Sequence, residues 1–174
     1  VVMDSLNCAF DATVTVEEPA EFIVAAMAED ASCNGESSGT LTGMVSGGTG
    51  DYTYLWVDVA TAIPVGQDLS VVDAAAATYQ FLVSDENGCI ASDQVTINEP
   101  DQLELFDLQT TIPSCVGVAD GAATVAVTGG VEPYVISWDT GTNGDAENTL
   151  EAGMHWVVVE DANLCRDSIA FELD

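Results

Sequence analysis

One histidine, five cysteines and 30 carboxylates carry whatever chemistry this 174-residue chain can do. His155 is the sole imidazole, so any serine or cysteine nucleophile with a histidine base must pass through it. A Cys/His zinc site lacks a second histidine. Two carboxylates at a suitable separation can hydrolyse a glycoside, but among 30 acids such a pair arises by chance, so the pattern selects nothing. Two chemistries remain: disulfide formation, and hard oxygen donors from Asp, Glu and Asn that suit Ca²⁺.

The cysteines and several of the acids sit in a repeated framework. Residues 4–19, DSLNCAFDATVTVEEP, recur 81 positions later as DENGCIASDQVTINEP. A shift of 82 carries SCNG at 32–35 onto SCVG at 114–117, and GGTGDYTYLW at 47–56 onto GGVEPYVISW at 129–138. Self-similarity at a fixed period marks stacked modules. The expected division is the last strands of a preceding repeat at 1–19, one repeat at 20–100 and a second at 101–174. Units of about 75–80 residues lie near the lower limit for a self-sufficient core, so cross-links or neighbours would help them. Cys8 reads as a cysteine whose partner lies before Val1, which accounts for the odd count.

The formal net charge is −29, with no lysine and Arg166 the only arginine. Binding to nucleic acid is excluded, because phosphate neutralisation needs clustered Lys and Arg. Electrostatic attraction to anionic lipid is excluded on the same ground. No apolar run of 18 residues is present, so this segment is not expected to insert into a membrane. An apolar fraction of 48% is ample for packed cores and argues against disorder. The acidity fits a solvated surface, adaptation to salt, or cations held between modules.

Short alternating runs bounded by Gly, Asp and Asn recur throughout, and helix signals are nearly absent. Strands are expected near 21–27, 39–46, 52–57, 69–73, 78–84 and 93–98, and again near 102–108, 121–128, 134–138, 147–150, 154–160 and 168–173. Tyr79, Phe81 and Val83 are expected to point inward, and His155, Val157 and Val159 likewise, with Trp156, Val158 and Glu160 outward. The fold class is therefore all-β, as tandem immunoglobulin-like β-sandwich repeats. Glu-Pro at 18–19 and 99–100 ends a last strand and leaves almost no linker, so the modules should stack as a semi-rigid rod.

The set Cys33, Gly35, Gly47, Gly48, Tyr52, Trp56, Asp85, Asn87, Cys89 and Pro100 resembles the SprB-type repeat of Bacteroidetes cell-surface proteins. A second copy is carried by Cys115, Gly117, Gly129, Gly130, Tyr134, Trp138, Asp161, Asn163 and Cys165, and Asp4, Cys8 and Pro19 supply part of another. The resemblance implies gliding-motility adhesins or other large surface proteins exported by type IX secretion. It thus implies extracellular display and adhesion at the cell surface, without catalysis.

Each candidate has competing readings. The cysteines pair most simply within a unit, Cys33–Cys89 and Cys115–Cys165. In a sandwich, however, those positions lie at opposite ends, which leaves open pairing across a junction, Cys8–Cys33 and Cys89–Cys115. The sandwich topology also brings Glu17 and Glu18 toward Asp51, Asp85 and Asn87, and Glu99 toward Glu132, Asp161 and Asn163, as Ca²⁺ ligand sets. The competing reading of Asp and Asn there is a turn that caps its own backbone. Trp56 and Trp138 share a repeat position and read as core. Trp156 falls in the outward register, where it packs on a neighbouring loop or meets a surface glycan or protein partner. The expected role is a disulfide-stapled stalk whose partners are neighbouring repeats of the same chain. The alternative is a carbohydrate- or protein-binding module that uses Trp156 and the adjacent loops.

Overall fold

The computed structural model describes residues 2–174. Val1, the first residue of the 1–19 segment, lies outside the described residues. Fifteen strands follow one another without a helix among the described residues. A hairpin of two-residue strands comes first, β1 (Val2–Met3) and β2 (Ala9–Phe10). The first sandwich is built from β3 (Ile23–Glu29), β4 (Gly39–Ser46), β5 (Thr53–Asp58), β6 (Pro64–Gly66), β7 (Ser70–Ala74), β8 (Ala77–Ser84) and β9 (Ile90–Ile97). The second comprises β10 (Glu104–Thr111), β11 (Gly121–Thr128), β12 (Val135–Trp138), β13 (Ala146–Leu150), β14 (Gly153–Glu160) and β15 (Arg166–Leu173).

In the first sandwich, sheet β3-β4-β7 faces sheet β6-β5-β8-β9. In the second, β10-β11-β13 faces β12-β14-β15. Every pairing is antiparallel, and the strand order of the two sheets is that of an immunoglobulin-like sandwich. No helix of the described residues is long and apolar enough to cross a membrane.

Alternation along the strands decides what is buried. Tyr79, Phe81 and Val83 of β8 and Val157 and Val159 of β14 lie in the cores, as their register predicts. Trp56 and Trp138 are fully enclosed, and each indole N–H donates to a carbonyl, Asp68 at 3.1 Å and Gly144 at 2.8 Å. Phe81 stacks on Trp56 with ring centroids 4.3 Å apart. That ring needs room: a Cβ on Gly43 would collide with Phe81. In the second sandwich both positions change together, to Val125 and Val157, so one large and one absent side chain become two medium ones.

The Gly-Gly-x-x-x-Tyr pattern also has a packing cause. Gly47 and Gly129 adopt φ of 74° and 68°, and a Cβ at either would strike the backbone of Glu21 or Gln102. The following residues donate back to the incoming chain, Gly48 N to Ala20 O at 3.0 Å and Gly130 N to Asp101 O at 2.8 Å. The tyrosine hydroxyl closes the corner, Tyr52 onto Gly47 O and Tyr134 onto Gly129 O, both at 2.6 Å.

Carboxylates join the sheets at the seam between the first and last strands of each sandwich. Asp93 accepts from Ala26 N at 2.9 Å and Asp167 from Leu105 N at 2.8 Å. The Ala26 and Gln94 amides hold the Asp93 carboxyl below its ordinary range.

Candidate functional site

The two sandwiches meet where the loop after β3 touches the turn between β14 and β15. Each of these elements has a shape set by its own sequence. The loop, Ser-Cys-x-Gly, needs a left-handed glycine, Gly35 at φ 74°, and Ser32 N is held by Ser38 Oγ at 2.8 Å. The turn, Asp-x-x-x-Cys, is organised by its aspartate. Asp161 is 3% exposed; its Oδ1 accepts from Asn163 N at 2.8 Å and Cys165 N at 2.9 Å, and its Oδ2 from Val131 N at 2.9 Å. Leu164 sits at φ 68° in this turn, where the equivalent residues are Gly88 at 79° and Asn7 at 65°. The left-handed step is therefore kept although its residue type is not.

Loop and turn are joined covalently. Cys33 bonds Cys165, with Cα atoms 5.7 Å apart and a sequence separation of 132. Asn163 Nδ2 donates to Ser32 O at 2.8 Å across the same contact. Behind the loop, Gly35 N donates to Glu99 Oε2 at 2.6 Å and Asn34 Nδ2 to Pro100 O at 3.0 Å, which ties it to the segment entering the second sandwich.

This corrects the pairings expected from spacing. Cys33–Cys89 and Cys115–Cys165 do not form, because the loop after the first strand and the last turn lie at opposite ends of their own sandwich. Cys8–Cys33 and Cys89–Cys115 also fail, because stacking brings the loop after the first strand of one module to the last turn of the next, not the reverse. Cys8, Cys89 and Cys115 are exposed thiols.

Of the acids expected as Ca²⁺ ligands, Asp85, Glu99 and Asp161 accept from backbone amides. Asp85 accepts from Thr49 N at 3.0 Å and Cys89 N at 2.8 Å, and Glu99 holds the Ser-Cys loop. Asn163 bridges the modules, whereas its counterpart Asn87, together with Glu17, Glu18, Asp51 and Glu132, is exposed. Among the described residues no three His, Cys, Asp or Glu side chains converge as a metal site.

Spacing gave no sign of a second polar cluster, in the second sandwich. Glu147 is 3% exposed and accepts from the hydroxyls of Thr140, Thr142 and Thr149 and from Asn148 N and Thr149 N. The Thr140 and Thr142 hydroxyls lead the Thr149 groups in holding its carboxyl down at about 2, against the pull of burial. His155 lies nearby. Its Nδ1 is 2.9 Å from Asp139 Oδ2 and its Nε2 2.9 Å from Glu151 O. Burial alone would lower this imidazole, but the Glu151 carbonyl, the Asp139 carboxylate and the field of Glu147 together raise it. Two acceptors facing two ring nitrogens suit the doubly protonated ring. His155 thereby replaces Tyr79, whose hydroxyl donates to the matching carbonyl, Ala75 O, at 2.9 Å.

The signs of these shifts fix a pH dependence. Glu147 is depressed, so its stabilisation is complete above 4.5 and disappears as pH falls through about 2. His155 is raised, so its stabilisation is complete below 6.5 and is lost as pH rises through its folded value. The second sandwich should therefore be most stable in mildly acidic solution. Acid should cost it about 2–3 kcal/mol, an effect that Glu147→Gln flattens in melts followed by Trp fluorescence. An unchanged acid limb in that variant would refute the assignment.

On the outer face of β12-β14-β15, Trp156 is 49% exposed. It lines an open groove of about 390 Å³ with Val135, Ser137, Val158, Glu160 and Arg166. Arg166 Nε donates to Glu160 Oε2 at 2.6 Å at its edge.

The SprB repeat model matches residues 25–61 and 109–143, each span running from the first strand through the Ser-Cys loop and the glycine corner to the buried tryptophan and just beyond. No curated protein matches the chain. Among solved structures, three N-terminal domains of the bacteriophage RB49 Highly Immunogenic Outer Capsid protein align at 19% identity and a TM-score of 0.47, covering 88% of this chain. The chain spans 59% of that structure. The IG1+IG2 pair of DIP-gamma aligns at 11% identity and a TM-score of 0.42, covering 91% of this chain and 97% of that one.

Proposed function

We propose that this chain, which carries two SprB-type repeats, is a stalk segment of a long extracellular adhesin or filament displayed at a cell surface. It has no catalytic role of its own. The single observation that carries the reading is the covalent latch between consecutive modules, Cys33 to Cys165. A covalent tie between neighbouring modules suits a rod that carries load along its length. A disulfide persists in an oxidising compartment, which fits display outside the cell. The surplus of carboxylates keeps so long an array soluble and prevents lateral clumping by mutual repulsion.

Load applied along the rod enters through β3, crosses Cys33–Cys165 and leaves through β15. Most of both modules is then bypassed. The test is mechanical: single-molecule stretching with and without reductant. An extension insensitive to reductant would remove the stalk reading.

A second reading rests on half-exposed Trp156 and its groove, where a glycan ring or a partner's apolar side chain could stack. Binding on a glycan array that vanishes in Trp156→Ala would favour it. A silent array would remove the glycan form of this reading.

A further inference from the structure

The latch between the two sandwiches uses one loop cysteine and one turn cysteine, yet the chain holds further halves of the same device. Cys115 occupies the same loop as Cys33: Ser114 N is held by Asp120 Oδ1 at 2.7 Å, as Ser32 N is by Ser38, and Gly117 has φ 81°, as Gly35 has 74°. Cys89 occupies the same turn as Cys165. Asp85 N donates to Cys89 O at 3.0 Å and Gly88 N to Asp85 O at 3.0 Å, matching 3.0 and 3.1 Å for Asp161 N to Cys165 O and Leu164 N to Asp161 O. Asn87 stands where Asn163 makes its bridge. Both halves are flanked by uncovered apolar side chains: Ile112, Val116 and Val118 beside Cys115, and Ile90 beside Cys89.

We propose that Cys89 and Cys115 are disulfide ligation sites for further repeats of this kind. Cys115 takes the turn cysteine of the module stacked after the second sandwich, and Cys89 takes the loop cysteine of the module stacked before the first. The latch then forms a ladder in which each module is bonded at both ends, and successive covalent loops overlap, since Cys115 lies inside the loop closed by Cys33 and Cys165. The inference rests on the stalk reading and supplies its covalent partner.

The chemistry is thiol–disulfide exchange with a small disulfide oxidant such as glutathione disulfide. The Cys115 thiolate attacks one sulfur of the oxidant and expels a glutathione thiolate. The Cys89-type thiolate of the neighbour then attacks the mixed disulfide and expels the second. Two thiols lose two electrons and two protons, and the oxidant becomes two glutathione thiols.

The test fuses the full chain at Asp174 to a second copy beginning at Glu18. The join reads Leu-Asp-Glu-Pro where the natural junction reads Ile97-Asn98-Glu99-Pro100. The fusion is oxidised in a glutathione buffer, alkylated without reduction, digested with a protease cutting at Glu, and mapped by mass spectrometry. The expected result is a linked peptide joining Cys115 of the first copy to Cys89 of the second, beside Cys33–Cys165 in both copies. Cys89→Ser in the second copy should leave the first copy's Cys115 alkylated and the other bonds intact. If Cys33–Cys165 forms while both junction thiols are alkylated, the ladder is refuted and the stalk reading stands. If Cys33–Cys165 itself is missing, the stalk reading falls with it.

Discussion

Stretched from its ends, the oxidised chain should yield about 450 Å less contour length than the reduced chain. The value follows from the sequence separation of 132 between Cys33 and Cys165, at an extended length of about 3.4 Å per residue. Only the residues outside the latch can pay out while the bond holds, however completely the sandwiches unfold. The same closure restricts the unfolded chain, and for a loop of this size the entropic contribution to stability is about 5 kcal/mol. Unfolding of either sandwich in the oxidised chain is therefore coupled to the other. Cys33→Ser should reproduce the reduced trace without reductant. If bonds instead closed each module on itself, reductant would release two shorter segments in separate steps, and the account would be wrong.

The second large effect is expected at Asp161. Replacing it with alanine strands the amides of Val131, Asn163 and Cys165, in a site where the carboxylate is 3% exposed. Hydrogen bonds to a charged acceptor contribute about 1.5–3 kcal/mol each, and the losses overlap within one turn, so a total near 4 kcal/mol is expected. For a module of this size that lowers Tm by roughly 15–30 °C. The turn carrying Cys165 also loses its shape, so latch formation should slow in Asp161→Ala. Asp161→Asn, which keeps one acceptor oxygen, should cost less. Millimolar Ca²⁺ and a chelator should give the same melting curve, because these oxygens already accept from the backbone. A chelator that reproduced the Asp161→Ala melt would support the calcium reading instead.

Much of this was legible in the sequence, and the exceptions share a cause. The period, the strand order and the inward faces of β8 and β14 follow from alternation, which is local. Trp56 and Trp138 were legible as core because both repeats hold them in one register. β6, Pro64–Gly66, was missed because three residues that include a proline carry no alternation; the second sandwich replaces it with the turn that Thr140 and Thr142 build around Glu147. The strand after Cys89 begins at Ile90, earlier than expected, because Asp85 caps the turn so tightly that pairing resumes at once.

The disulfide was the largest miss. Spacing within a repeat says which cysteines recur, whereas the partner of each depends on which end of a sandwich faces its neighbour. That is a property of stacking, visible only when Ser32, Cys33 and Glu99 are seen beside Asn163 and Cys165. Asp85 and Asp161 illustrate a related ambiguity. An Asp-Asn cluster has the same composition whether it faces a cation or its own amides, and here the amides take the oxygens.

The central claim is that consecutive modules are covalently latched, loop to turn. Its most direct test is peptide mapping of the oxidised chain after alkylation of free thiols. A disulfide-linked peptide containing Cys33 and Cys165, with Cys8, Cys89 and Cys115 alkylated, is the expected result. Linked peptides joining Cys33 to Cys89 and Cys115 to Cys165 would contradict it.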